Sequence, residues 1–527
     1  MNAFEPVQRW PAAVPQLHDY LHATAARLPG KVALVCDGQR VTYAEIEARS
    51  NQLAHALVRR GVRRGDRVVV FADNTVQTVI SFWGVLKANA VTAIVNSLVK
   101  TDKLAYLLND CGASALVTDA RHTATYAEAA ARSEHLRAVI ISGERDPART
   151  AHLPNVCGWD EALAAEPADH PPPRRNLDVD LASIVYSSGT TGEPKAIMLT
   201  HRNMLTAATS IATYLENTED DVILSVLSLA LTYGLYQLIT TVKTGGRLVL
   251  ERSFAYPTQV LQHLVEERAT GLPGVPTMWA MLTGMESLPG YDLSSLRYLT
   301  NAAAPCPEKH LLRLHELLPQ VRIFSMYGQT ECARGAYLPP EDLERKPGSI
   351  GIPPPNMEFW LVDENDRRVG PGEIGQLVIR SAMVMRGYWG RPEATAERLR
   401  PGPLPGEVVL YTGDYGRLDE EGYLYFVSRM DDIIKSRGEK VSPKEVENVL
   451  VDIPGVKEAA VIGIPDPLLG QAVKAFLILA PEARLTEKEV QLACGKRLEA
   501  FMVPKEVVFV ADLPRTSGGK IKKNELR

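Results

Sequence analysis

No apolar run opens this chain. Residues 1 to 20 carry Glu5, Pro6, Arg9 and Pro11, so a secretory signal is not expected and the mature chain is expected to begin near Met1. The six cysteines, Cys36, Cys111, Cys157, Cys306, Cys332 and Cys494, form no CxxC pair and have no histidine at ligand spacing, which points to reduced, structural thiols and a cytoplasmic protein. A large excess of one charge sign is also lacking. With 58 Lys and Arg against 63 Asp and Glu the net charge is -5, which gives no reason to expect nucleic acid as a partner. Internal repeats and low-complexity segments are absent. One stretch, Val222 to Val242, has no formal charge and is long enough to span a bilayer. It carries Ser225, Ser228, Thr232, Gln237, Thr240 and Thr241, however, and Gly234 divides it into a strand-like and a helix-like half. It therefore reads as core and pocket wall, with no transmembrane segment.

What the chain does contain is an ordinary globular composition, 45% hydrophobic and 23% charged over 527 residues. Thr42 with Glu45 is a capping box, Ile46, Leu53, Ala54 and Leu57 share a helical face, Gly61 ends that helix, and Arg67 to Phe71 reads as a strand. The alternation recurs through Phe82 to Ala88, Ala93 to Asn96 and Ala115 to Thr118, which predicts an α/β domain of layered, largely parallel sheets with helices. Residues 143 to 177 read as a surface connection. Lys346 to Pro355 and Pro371 to Arg380 have the turn-then-strand pattern of a small β-subdomain. After the charged run from Arg429 to Glu439, a second pattern begins. Ser442 to Glu445 reads as a capping box with Pro at the first helical position, Ala459 to Ile464, Val473 to Leu479 and Lys505 to Val510 as strands, and Thr486 with Glu489 as another helix start. That predicts a small α+β domain at the C-terminus.

The chemistry is concentrated in Tyr186 to Asn203, YSSGTTGEPKAIMLTHRN. A buried strand, Ala182 to Tyr186, leads into a loop in which Gly189 and Gly192 allow positive-φ backbone to turn N–H groups inward. Ser187, Ser188, Thr190 and Thr191 add hydroxyl donors, and Lys195 adds positive charge. Such a loop suits phosphate. The Walker A pattern does not fit, because Glu193 and Pro194 separate Gly192 from Lys195. A plain Ser/Gly-rich surface turn would explain the composition but not a Lys set just before a second apolar run, Ala196 to Leu199. Thr200 then reads as the cap of a helix whose face is Met204, Leu205, Ala208, Ile211, Ala212 and Leu215.

This stretch resembles the phosphate loop of the adenylate-forming superfamily, which comprises acyl-CoA and aryl-CoA synthetases, luciferases and peptide-synthetase adenylation domains. One departure is Ala196, where the family usually has Gly. The resemblance continues in order along nearly the whole chain. It implies an adenine site at Ala303, Ala304 and Tyr327, a phosphate contact at Thr330 and a magnesium ligand at Glu331, a hard carboxylate of the kind Mg²⁺ prefers. It further implies ribose contacts at Asp414 and Arg429, a hinge at Asp431, and a glycine, Gly438, that lines the thiol channel after domain rotation. The loop Leu513 to Lys520 matches the arm whose lysine, here Lys520, bridges the carboxylate and α-phosphate in the transition state. The implied domains are 1–430, an AMP-binding domain with the acyl pocket, and 431–527, a mobile lid.

The activity this implies is a two-step ligation that uses ATP, Mg²⁺ and CoA, with acyl-adenylate as intermediate. A separate acyl or peptidyl carrier protein is the alternative acceptor, and a non-catalytic adenylate-binding homologue is a remote alternative. The acyl pocket is expected around Tyr233, Gly234, Gln237 and Ala302, with Leu231 where many acyl-CoA synthetases have His. Val222 to Val242 contains no carboxylate to pair with an α-ammonium group, so the expected acid is uncharged and largely apolar, as in fatty acid metabolism, and not an amino acid.

Overall fold

The computed structural model describes residues 15–526 apart from 187–193, 305, 430, 431, 433, 437, 438, 467, 468 and 516–520. Valine-rich and isoleucine-rich segments, apolar on both faces, form the middle of two eight-stranded sheets. In the first the strands run Gly387–Tyr388, Ala196–Thr200, Leu181–Tyr186, Val91–Asn96, Arg67–Ala72, Ala113–Asp119, Ala138–Ser142 and Val156–Gly158 from edge to edge. In the second the order is Ala336–Tyr337, Arg322–Tyr327, Tyr298–Asn301, Gly271–Gly274, Val222–Ser225, Arg247–Leu250, Val32–Cys36 and Gln39–Thr42. Pairing is parallel except at the ends: Leu181–Tyr186 with Ala196–Thr200, Ala196–Thr200 with Gly387–Tyr388, Arg322–Tyr327 with Ala336–Tyr337, and Val32–Cys36 with Gln39–Thr42 are antiparallel. Strands covered on both faces suit parallel pairing. The helix Val76–Lys87 is buried at every position but one, which places it inside the molecule beside Tyr43–Arg59.

A six-stranded antiparallel sheet follows, built from Ser349–Gly351, Met357–Val362, Ile374–Ser381, Leu399–Pro401, Val408–Leu418 and Leu424–Arg429. One continuous core joins residues of all three sheets, from Leu34 through Ile197 to Leu410. Beyond it, Ile434, Val446, Val461, Val473, Val490 and Val507 belong to a separate core under a five-stranded sheet.

Local signals explain most boundaries. Thr42 caps Tyr43–Arg59 with the full capping box, Thr200 caps His201–Tyr214, and Thr486 caps Glu487–Gly495. Three expectations need correction. Residues 143–177 contain the short helices Pro147–Thr150 and Trp159–Ala164 and the edge strand Val156–Gly158, elements too short to leave a periodic signal. Ser442 caps Pro443–Val451, but the reciprocal Glu445 half of the box is missing. Gly234 does not divide its stretch: the helix Thr232–Thr244 already includes it. A Cβ there would stand 2.2 Å from the Ser228 carbonyl oxygen, so the glycine is needed for close packing of the first helical turn on the preceding loop. Among the described residues no helix is long and apolar enough to cross a membrane, and the six cysteines are all free.

Candidate active site

The carboxyl ends of Tyr298–Asn301 and Arg322–Tyr327, the edge of the first large sheet, and two neighbouring strands of the antiparallel sheet contribute to one place. This is where parallel sheets ordinarily bind ligands. Asp414 lies opposite Arg429 in the register of Val408–Leu418 with Leu424–Arg429. Its side chain is buried, and Oδ2 accepts from the Tyr327 hydroxyl at 2.6 Å and from Gln329 Nε2 at 2.5 Å. Oδ1 faces Arg429 Nε at 3.4 Å and has no hydrogen-bond donor, although it is buried. Such an atom asks for a donor from outside, as a ribose hydroxyl would be. Preceding it, Gly413 has φ 69°, and a Cβ would collide with the Arg398 guanidinium at 2.0 Å. Glycine takes that bend without strain and leaves the guanidinium in place.

Glu331 lies a few residues after Tyr327. The Tyr388 hydroxyl donates to its Oε1 at 2.9 Å, and Met385 N donates to its backbone carbonyl at 2.7 Å. Lys195 Nζ stands 5.3 Å from the centre of the Tyr388 ring. Tyr388 therefore links Lys195, just before the strand Ala196–Thr200, to Glu331. Burial and the Glu331 carboxylate hold the Tyr388 hydroxyl well above its usual range, so it remains a donor at neutral pH. Burial and Asp414 do the same for Tyr327. Around Arg429, burial opposes the charge, but the carboxylates of Asp414 and Glu331 outweigh it and keep the guanidinium charged.

The run of small residues follows Tyr298–Asn301. Ala302 is buried, and Ala303 has φ 73°, a left-handed conformation uncommon for alanine and often retained at ligand sites. Tyr233 ties the helix Thr232–Thr244 to this strand, its hydroxyl 2.8 Å from the Thr300 carbonyl and 2.7 Å from Thr300 Oγ1. Gln237 is buried and donates to the Tyr233 carbonyl at 3.0 Å. Thr330 is half-buried between Gln329 and Glu331. Ser187, Ser188, Gly189, Thr190, Thr191, Gly192, Asp431, Gly438 and Lys520 lie outside the described residues.

Three contributors were not singled out from sequence. Tyr388 stood in a run, Gly387-Tyr388-Trp389, without recognisable chemistry; Gln329 and Arg398 gave no signal, because their roles arise from contacts with the strand Val408–Leu418 that only the fold brings to them. A surface cleft of about 540 Å³ lies at the amino ends of the second sheet's strands, away from this cluster. Its charges pair with one another, Arg40 and Arg247 both with Glu267.

The signature of the AMP-binding enzyme family matches residues 21–389, and that of the AMP-binding enzyme C-terminal domain matches 445–520. The chain belongs to the AMP-binding enzyme family. Among curated relatives of this AMP-binding enzyme, a feruloyl-CoA synthase of Amycolatopsis is 36% identical over 509 residues, 96% of each chain. A long-chain-fatty-acid–CoA ligase of Escherichia coli O157:H7 is 32% identical over 554 residues, covering 99% of this chain and 97% of the relative. Among solved structures, an anthranilate CoA ligase in complex with anthranoyl-AMP superposes with a TM-score of 0.88 at 28% identity, covering 98% and 97% of the two chains. A benzoate CoA ligase from Burkholderia xenovorans LB400 gives 0.86 at 28% identity, covering 98% and 100%. The AMP-binding enzyme described here is thus an AMP-forming acid–thiol ligase of the acyl-CoA synthetase type, with a carboxylic acid, ATP and CoA as substrates.

Proposed function

We propose that the cluster around Asp414 and Glu331 is the adenylation site and that its residues divide the work as follows. Asp414 and Arg429 hold the ribose, with Tyr327 and Gln329 fixing the carboxylate. Ala303, Ala304 and Tyr327 receive the adenine, and the acid's chain lies among Tyr233, Gly234, Gln237 and Ala302. The loop residues Ser187, Ser188, Gly189, Thr190, Thr191 and Gly192, with Lys195 and Thr330, hold the phosphates. Glu331 would hold Mg²⁺, which neutralises triphosphate charge when bound; one carboxylate together with substrate phosphates is a usual magnesium environment. No cluster of three metal-ligating side chains occurs among the described residues, which suits a substrate-carried Mg²⁺ better than a resident metal.

A carboxylate oxygen of the acid attacks the α-phosphorus, pyrophosphate leaves, and the acyl group is bonded to AMP through that oxygen. The CoA thiolate then attacks the acyl carbon, and AMP leaves with the oxygen. Lys520 stabilises charge in the first step. We place the domain boundary at 430/431, with Asp431 as hinge and Gly438 entering the thiol channel after rotation. The relatives' names favour CoA over a carrier protein as acceptor. The free thiols agree with a cytoplasmic enzyme. The observation that carries the reading is the buried Oδ1 of Asp414, which faces Arg429 but has no hydrogen-bond donor.

Half-reactions test the assignment of Lys520. Lys520→Ala is expected to lower acid-dependent ATP:pyrophosphate exchange by about 2 to 4 kcal/mol of transition-state stabilisation, while thioester formation from supplied acyl-adenylate changes far less. Equal loss in both would contradict the role.

A further inference from the structure

Arg334, three residues beyond Glu331, is only 3% exposed. The backbone aims it inward: Ala333 adopts φ 61°, Arg334 N donates to the Cys332 carbonyl at 2.7 Å, and the chain returns antiparallel to Arg322–Tyr327 through Ala336–Tyr337. The guanidinium lies over the ring of Tyr233 at 4.8 Å, so it forms part of the wall assigned to the acid's chain. Its hydrogen bonding is poor for a buried cation. Nη1 donates to the adjacent Ala333 carbonyl at 2.9 Å, and Nε has no acceptor. Among the described residues no Asp or Glu forms an ion pair with it, whereas the other deeply buried cation, Lys87, has Glu47 at 2.6 Å together with Ser50 and Asn51.

An arginine cannot escape burial by losing its proton, and a buried guanidinium is retained where a counter-charge completes it. The surroundings offer dipoles and ring faces, not charge. Tyr233 is engaged with Thr300, and the Tyr214 hydroxyl, 3.0 Å from Met326 Sδ, is also a side-chain hydrogen-bond partner of the guanidinium but brings it no charge. The missing counter-charge thus falls to the ligand. We propose that the acid activated by this enzyme carries a second anionic group, most simply a second carboxylate, and that Arg334 receives it at the far end of the acyl pocket. The inference rests on the adenylation reading and replaces the uncharged, apolar acid expected from the sequence. Val222 to Val242 lacks a carboxylate for an ammonium group, and Arg334 would repel one, so both features argue against a cationic tail at this end of the pocket.

Matched acids test it on the full-length enzyme by ATP:pyrophosphate exchange: succinate against butyrate, glutarate against valerate, adipate against hexanoate, and phthalate against benzoate. The wild type is expected to favour a dianionic member by on the order of 30-fold or more in kcat/KM. Arg334→Met should reverse that preference by depressing the diacid and raising its monoacid partner. Arg334→Lys, which keeps the charge but loses the fork, should retain the preference at about a tenth of the activity. If Arg334→Met does not fold, the wild-type preference and the Arg334→Lys variant decide the matter. Exchange that favours the monoacids overturns the inference while leaving the ligase intact, as does Arg334→Met with unchanged kcat/KM for every pair. Exchange with no acid of either kind overturns this inference and the adenylation reading together.

Discussion

Asp414 is the residue on which nucleotide binding depends most in this account. One oxygen is held by Tyr327 and Gln329, and the other is buried and free of donors beside Arg429. Asp414→Asn keeps the shape and removes the charge that strengthens a ribose hydrogen bond, a loss of about 2 kcal/mol. The KM for ATP should rise roughly 30-fold while the KM for the acid changes little; steady-state kinetics with each substrate varied in turn would show it, and a rise in the acid's KM alone would contradict the role. Asp414, Arg429 and Glu331 were singled out from the sequence because each stands in a short motif whose order matches the family. Tyr388 was not. Its partner Glu331 is 57 residues away, and only the pairing of Gly387–Tyr388 with Ala196–Thr200 brings it towards Lys195. Arg334 was missed for a different reason: one arginine in a run of small residues reads as surface until its burial is seen.

At the scale of elements, caps and periodicity located most helices and strands. The misses are those a sequence cannot signal. The helix Thr232–Thr244 starts before Gly234 because the glycine serves close packing and not a break, and the short elements of 143–177 are fixed by neighbours. Asn89, for example, binds the Pro173 carbonyl and the Arg175 N–H, which pins that connection to the first sheet. The two cores, one shared by three sheets and one restricted to residues 441–507 and Ile434, suit a lid joined by a short hinge. If Asp431 is that hinge, Asp431→Pro fixes φ there and should separate the half-reactions, sparing adenylation and suppressing thioester formation. Measuring pyrophosphate exchange and acyl-CoA formation on the same preparation would show it. Near wild-type rates in both would move the hinge elsewhere.

At the scale of the molecule, the fold is closed by contacts between distant parts of the chain. His201, at the start of His201–Tyr214, is fully buried and accepts from Leu17 N at 3.2 Å. Burial lowers its pKa to about 4, with Asp180 opposing and Arg174 assisting that shift. Unfolded, the ring takes a proton near 6.5, so between these values the unfolded state binds more protons and stability falls as pH drops. The loss amounts to about 3 kcal/mol from pH 6.5 to 4, and His18, lowered in the same direction by burial, adds to it. Denaturation midpoints across that range should fall with pH, less steeply in His201→Gln; a flat profile would contradict the assignment. The central claim, that this AMP-binding enzyme joins an acid to a thiol through an acyl-adenylate, is tested most directly by following oxygen. With an acid labelled with oxygen-18 in its carboxylate, ATP and CoA, mass spectrometry should find one labelled oxygen in each AMP released and none in pyrophosphate. Label in inorganic phosphate with release of ADP, or acyl-CoA formed alongside unlabelled AMP, would contradict it.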